Sequence, residues 1–287
     1  MIQTSNNNLR LPQEFKKKIS IINKKNTLKI LRKYSLNSVC EESHCPNIDE
    51  CFLKKTATFM ILGKKCTRRC NFCLIKTGKG EKVNISEPLN IVKAINKMEL
   101  NHVVITSVDR DDLLDYGASH FVKCIQEIKI HFPNITIEIL TPDFNGNIKY
   151  IAKLINAKPD VFVHNIETVK KIFQKVRPQS KWKHTCSLLK QVGSAKNIIL
   201  KSGIMVGLGE NDCEVEETLY LLRDLGVKIV TIGQYLRPSL KHWPVKRYVS
   251  KEIYNKWEKL GKKLGLKIIA GAFVRSSYKA KEILQSL

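Results

Sequence analysis

From Thr56 onward, short apolar runs alternate with longer amphipathic stretches, and this alternation restricts the fold more than any other feature. Thr56–Gly63 is a short apolar run closed by glycine, which predicts a buried strand. The same reading predicts strands at His102–Val108, Ile135–Leu140, Asp160–Asn165, Ile198–Val206, Lys228–Gln234 and Leu266–Gly271. Helices are predicted between them, the first from Ser86 to Met98 with Ser86 as cap and Pro88 in the first turn. Others cover Ala118–His131, Asn147–Ala157, 167–175, 181–192, 212–225 and Lys251–Leu264. Seven strands linked by helices imply a parallel sheet, because parallel neighbours need long crossovers. The expected class is α/β, and the pattern alone allows an open sheet or a complete or partial barrel. No fixed-period repeat or low-complexity linker interrupts it, so one domain with terminal additions is expected. Residues 1–35 are polar and basic, with a helix predicted over Gln13–Tyr34, and residues 36–55 read as a loop.

The chain has 287 residues, 43% of them apolar, enough to bury a core. No apolar run reaches the ~18 residues of a membrane span, so no membrane insertion is expected. The formal charge is +24. Nucleic acid, an anionic surface or an acidic protein would each suit it. The Lys residues are scattered, however, and Ile and Asn are abundant too, as codon bias would produce. Most of the charge is therefore read as solvated surface. The start, MIQTSNNNLR, lacks the apolar segment of a secretory signal. A reducing, cytoplasmic (bacterial) setting is expected, where clustered cysteines serve as metal ligands rather than disulfides.

Six of the nine cysteines fall between Cys40 and Cys73. Cys66, Cys70 and Cys73 form a C-x3-C-x2-C triplet on a loop directly after a predicted strand. Three thiolates hold three irons of a cubane cluster and leave the fourth open, and soft thiolate suits iron–sulfur chemistry. In a parallel sheet that loop lies at the C-terminal strand edge, where active sites form. Zinc fits this spacing less well, since it prefers C-x2-C pairs completed by two further ligands. Cys40, Cys45 and Cys51 form a second triplet, C-x4-C-x5-C, again one ligand short. His44 lies within it and reads first as a polar loop residue. Cys124, Cys186 and Cys213 lie apart and read as small buried apolar residues.

Polar islands recur at predicted strand ends: Thr106–Asp112, Asn165–Glu167, Lys201–Gly203 with Gly207–Glu210, and Gln234–Ser239. Those are the positions where a barrel collects ligand contacts. Gly207-Leu-Gly209 is no dinucleotide fingerprint, since the third glycine is missing. Two Arg/Tyr-bearing stretches, 242–248 and 275–278, follow the last strands.

These residues resemble the lipoyl synthases, a radical S-adenosylmethionine family. The resemblance runs from about Leu36 to Ala280. It rests on Ser38–Asn47, Ala57–Gly63, Cys66–Cys73, Val104–Leu113, Gly207–Glu210, Gln234–Leu236 and Val274–Tyr278. It implies a partial (β/α) barrel of the radical-SAM type over 56–271, an N-terminal extension (1–55) and a C-terminal segment (272–287). It implies two 4Fe-4S clusters. Cys66, Cys70 and Cys73 would hold the one that binds S-adenosylmethionine. Cys40, Cys45 and Cys51 would hold an auxiliary cluster, with Ser277 rather than Ser276 as its fourth ligand. Ser107, Asp109, Asn165, Glu167 and Lys201 would contact S-adenosylmethionine, and Arg275 and Tyr278 would lie beside the auxiliary cluster. The implied reaction inserts two sulfur atoms, at C6 and C8, into an octanoyl chain on a lysine, with the auxiliary cluster sacrificed as sulfur source. The implied partners are octanoylated lipoyl domains of 2-oxoacid dehydrogenase complexes or the glycine cleavage H protein, and an electron donor. One departure is visible: Gly271-Ala272 stands where the family has Gly-Pro.

Two alternatives stand beside this reading. One is another sulfur-inserting enzyme of biotin-synthase type, which would not use the N-terminal triplet. The other is a zinc-bearing RNA-binding module, which would place nucleic acid rather than protein opposite the basic surface.

Overall fold

A computed structural model describes residues 24–53, 58–278 and 280–285. Eight strands lie side by side in chain order: β1 (Asn37–Ser38), β2 (Thr58–Ile61), β3 (His102–Ser107), β4 (Thr136–Leu140), β5 (Val161–Val163), β6 (Ile199–Val206), β7 (Ile229–Gln234) and β8 (Lys267–Gly271). Every pair from β2 to β8 is parallel, and β1 runs antiparallel to β2. Strands β1 and β8 are the two edges, so this is the expected partial barrel rather than a closed one. Strands β2, β5 and β7 are buried at every residue, as a parallel sheet with both faces covered demands.

The helices α1 (Lys24–Lys33), α2 (Val39–Glu42), α3 (Ile48–Leu53), α4 (Glu87–Met98), α5 (Ala118–His131), α6 (Ile148–Asn156), α7 (Lys170–Val176), α8 (Trp182–Gly193), α9 (Asp212–Asp224), α10 (Lys251–Leu264) and α11 (Ala280–Gln285) complete the order. The expected helices α5 and α10 have the predicted ends. In α10 the chain stops at Gly265, whose φ of 70° suits a residue without Cβ. Part of the predicted 13–34 helix and of the Thr56 strand lies outside the described residues.

Three expectations need correction. The 36–55 segment is not plain loop. It carries β1, α2 and α3, with Ser38 capping α2 by accepting from the Cys40 N–H. Ser86 stands at the start of α4 but makes no capping hydrogen bond. The buried Glu87 carboxylate is used instead, accepting from Leu62 N–H at 3.0 Å and lying 2.7 Å from His120 Nε2. Of the three isolated cysteines only Cys124 is buried. Cys186 is half-buried, and Cys213 in the first turn of α9 is exposed.

Candidate active site

Strand β2 delivers the second cysteine triplet. Leu62 and Gly63 turn the chain with φ of 69° and 93°, and a Cβ on Gly63 would stand 2.5 Å from Glu81 Oε2. The loop then closes on itself: Cys66 N–H donates to Lys76 O and Gly78 N–H to Cys66 O, both at 2.9 Å. Arg68, inside the triplet, is 4% exposed and joins three strand-end loops. Its guanidinium makes a two-pronged contact with Asp111, at 2.8 and 2.7 Å, and meets Asp143 at 2.8 Å and Asp109 at 3.4 Å. Asn71 N–H donates to Val176 O at the end of α7. From the loop after β7, Trp243 N–H donates to Asn71 O, and the His242 ring lies 3.1 Å from Cys73 O.

The three thiols line a cavity of about 210 Å³ at the C-terminal ends of the strands. Ser107, Asp109, Asn165 and Glu167, all expected to contact S-adenosylmethionine, share its wall. Val39, Met60, Phe72 and Leu140 make the wall apolar elsewhere. Burial pushes the Cys66 thiol up to about 12, with Asp109 adding to it, and pushes Cys73 up to about 12. Burial also raises Asp109, against the pull of Arg68 and Arg177, and raises Glu167, against Arg177 and Asn165. Glu167 has a φ of 67°, rare for a residue with a side chain. Its backbone is fixed there by bonds to β6, Glu167 N–H to Gly203 O and Met205 N–H to Glu167 O.

Lys201 is the exception among the expected contacts. It lies inside the barrel, 1% exposed, with Nζ donating to Glu138 Oε1 at 3.0 Å, and it does not line the cavity. Two polar islands are likewise structural. Glu210 accepts from the N–H groups of Gly207, Leu208 and Gly209 and pairs with Arg247. Gln234 Nε2 donates to three carbonyls, and a Cβ on Gly207 would lie 2.1 Å from it.

Arg177 was not anticipated. It sits at the end of α7, 6% exposed, lining the cavity, with Nε and Nη1 lacking hydrogen-bond partners. A signal was present in composition: only 10 of the 50 basic residues are Arg. In so Lys-rich a chain, an arginine marks a place where a rigid fork of donors is needed. Arg68, Arg110 and Arg177 are all buried.

The first triplet meets the C-terminal segment. Cys45 N–H donates to Cys40 O at 3.0 Å, and burial, then Cys45, pushes the Cys40 thiol up to about 11. Asn47 Nδ2 donates to Phe273 O at 2.6 Å, and the Tyr278 hydroxyl to Glu50 at 3.0 Å. Burial lowers the Arg275 guanidinium, and burial, then the bond to Glu50, raises the Tyr278 phenol. Ser276 Oγ accepts from Asn165 Nδ2 at 2.7 Å, while Ser277 makes no hydrogen bond among the described residues.

The donor sets fit iron–sulfur ligation. All nine cysteines are free thiols, each triplet is half-buried on one short segment, and sulfur is the soft ligand such clusters take. The cavity wall also fits a zwitterionic nucleoside. Arg177 has donors to spare, and Ser107 Oγ, Asp109 Oδ1 and Asn165 Oδ1 are buried without hydrogen bonds. Among the described residues no three His, Cys, Asp or Glu converge tightly enough for a single metal ion.

Residues 60–233 match the radical SAM superfamily model. The chain is 49% identical over 252 residues to the lipoyl synthase of Caldanaerobacter subterraneus subsp. tengcongensis, covering 87% of this chain and 88% of that one. It is 47% identical over 265 residues to the lipoyl synthase of Caldicellulosiruptor bescii, covering 91% of each. It is 47% identical over 254 residues to the mitochondrial lipoyl synthase of Nematostella vectensis, covering 88% and 87%. Among solved structures it is similar to methylornithine synthase (PylB), with TM-score 0.55, 13% identity and coverage of 88% and 82%. It is also similar to Streptococcus suis SuiB bound to S-adenosylmethionine, with TM-score 0.59, 11% identity and coverage of 89% and 58%. At those identities the structures speak for the barrel alone.

Proposed function

The chain belongs to the lipoyl synthase family of the radical SAM superfamily, and on that premise we propose how its residues divide the work of radical sulfur insertion. The family carries an iron–sulfur cluster and S-adenosylmethionine, and Cys66, Cys70 and Cys73 are the residues we assign to that cluster. Bound there, the pair supplies one-electron chemistry, which opens an unactivated C–H bond that has no acidic proton for a general base.

The protein's own part is binding and orientation. Arg177 lines the cavity, its Nε and Nη1 have no hydrogen-bond partner, and such a guanidinium suits a carboxylate. Asp109 and Glu167 face it as acceptors for an ammonium group or ribose hydroxyls. Ser107 and Asn165 add further hydrogen-bonding positions. Val39, Met60, Phe72 and Leu140 offer an apolar wall to an acyl chain. Arg68 keeps the triplet loop seated, since its charge is matched by three carboxylates.

We assign Cys40, Cys45, Cys51 and Ser277 to a second 4Fe-4S cluster, the sulfur source. The observation that carries this reading is the docking of segment 273–278 onto the first triplet, through Asn47 and Glu50, beside a residue of the S-adenosylmethionine cavity. On this reading the sulfur source would adjoin the cavity wall at Asn165, whose side chain bonds Ser276. The first Cys triplet, the barrel cavity and residues 273–278 would then serve one site. The loss of Pro at Ala272 leaves φ freer there, and Asn47 and Tyr278 supply the anchoring.

The substrate in this proposal is the octanoylated lipoyl domain of a 2-oxoacid dehydrogenase complex or of the glycine cleavage H protein, and an electron donor is required. No helix among the described residues is long and apolar enough to cross a membrane. Free thiols throughout suit a reducing cytoplasm. The testing experiment is anaerobic incubation of reconstituted protein with S-adenosylmethionine, a reductant and an octanoylated lipoyl domain, followed by mass spectrometry. Product carrying two sulfur atoms supports the assignment; a domain still carrying only octanoyl after reductive cleavage of S-adenosylmethionine overturns it.

A further inference from the structure

Asn165 stands between the cavity and the C-terminal segment. Its Oδ1 is buried on the cavity wall without a hydrogen bond, and its Nδ2 donates to Ser276 Oγ at 2.7 Å, across 111 residues of sequence. Two glycines make room for this contact. A Cβ on Gly203 of β6 would stand 2.7 Å from Asn165 Oδ1. A Cβ on Gly233 of β7 would stand 2.1 Å from the Val274 carbonyl oxygen, so only glycine lets the segment lie this close. The backbone around Asn165 has no slack: His164 N–H donates to Lys201 O at 3.1 Å, and Ile166 N–H to Ser202 Oγ at 3.1 Å. The side-chain amide, which also bonds Glu167, is therefore the part of Asn165 left for a ligand to act on. Its oxygen and nitrogen are coplanar, so a partner on Oδ1 also fixes where Nδ2 points.

We propose that the Asn165–Ser276 hydrogen bond is a mechanical link through which occupancy of the cavity sets the position of Ser277, with Ser276 as the positioning residue. The inference rests on the assignment of the cavity to S-adenosylmethionine and of Ser277 to the second cluster. A hydroxyl or ammonium group donating to Asn165 Oδ1 removes the rotation of the amide. Nδ2 is then held on Ser276, and the adjoining Ser277 hydroxyl, which has no hydrogen bond among the described residues, is held with it. Ligand binding is felt at the second centre as lost freedom rather than as a change of fold.

Hydrogen–deuterium exchange of residues 272–278, in reconstituted holoenzyme with and without S-adenosylmethionine, tests the link. In the parent, saturating S-adenosylmethionine is expected to raise protection about five-fold, the scale of one net hydrogen bond. Ser276→Ala is expected to lose that rise, and Ser276→Thr, which keeps a hydroxyl, to retain it. Linkage limits any loss of ligand affinity in the Ala variant to the same factor, so its cavity can still be saturated. Asn165→Leu keeps the size but neither the donor nor the acceptor and must lose the rise too, which covers a Ser276→Ala chain that loads poorly. A parent that binds S-adenosylmethionine with no change in 272–278, or an undiminished rise in Ser276→Ala or Asn165→Leu, overturns the link alone. A parent that does not bind S-adenosylmethionine overturns the cavity assignment and the link together.

Discussion

The Tyr278 hydroxyl donates to the Glu50 carboxylate at 3.0 Å, joining residues 228 apart in sequence. Burial, then the bond to Glu50, pushes the Tyr278 phenol up to about 12, so it remains a donor at any physiological pH. Tyr278→Phe should cost about 1 kcal/mol, one net hydrogen bond. Reconstituted Tyr278→Phe should also lose iron from the second site faster under a chelator. Parent-like iron retention would mean that this contact does not hold the segment in place.

Arg68 is buried among Asp109, Asp111 and Asp143. Arg68→Met keeps much of the volume but strands two buried carboxylates, Asp109 and Asp143. The expected loss is roughly 3–5 kcal/mol, the cost of breaking a buried pair from one side. Urea denaturation of the cluster-free protein measures it, and a loss below about 1 kcal/mol would show the carboxylates to be compensated elsewhere.

The barrel was legible in sequence because a parallel strand covered on both faces must be an apolar run, as in 102–107 and 229–234. The cysteines and the cavity residues Ser107, Asp109, Asn165 and Glu167 were legible because loops that follow such strands meet at one end of the sheet. Lys201 was expected at the cavity with them, yet it lies within β6 with its side chain on Glu138 inside the barrel, a pairing that its position at a predicted strand end did not reveal. Arg177 carries no motif, and only its choice over Lys distinguishes it. Glu210 and Gln234 look like ligand contacts in sequence, yet they serve backbone groups of their own loops. Pairings such as Asn47 with Phe273 were illegible, because they depend on where the barrel brings both ends of the chain.

His164 is buried on the cavity wall, with Nδ1 donating to Thr141 O at 2.9 Å and Nε2 3.3 Å from Thr185 Oγ1. Burial, then the charge of Arg177, lowers it from an ordinary 6.5 to about 4. As pH falls below 6.5 the unfolded chain takes up a proton that the folded chain refuses. Stability is therefore lost between 6.5 and about 4, by up to about 3 kcal/mol, and is unaffected by this group above 6.5. His164→Gln should flatten that part of the stability–pH curve relative to the parent, as measured by urea midpoints. Parallel curves for the two proteins would contradict the assignment.

Lys65, Lys76 and Lys79 are exposed on the triplet loop, and the Cys66–Thr77 bridge sets Lys65 next to Lys76. If this rim receives an acidic carrier domain, raised salt should weaken turnover of the octanoylated domain but not of a short octanoyl-lysine peptide. Lys65→Glu with Lys76→Glu should raise KM for the domain about tenfold and leave the peptide unaffected. Equal salt sensitivity of domain and peptide would assign the charge to general solvation.

The most direct measurement of the two-centre site is iron and sulfide content after anaerobic reconstitution. The expected result is about eight irons and eight sulfides per chain, falling to about four when Cys66, Cys70 and Cys73 are replaced by Ala, and to about four when Cys40, Cys45 and Cys51 are replaced instead. A parent that holds about four irons or fewer, or whose iron is unchanged by replacing either triplet, would contradict it.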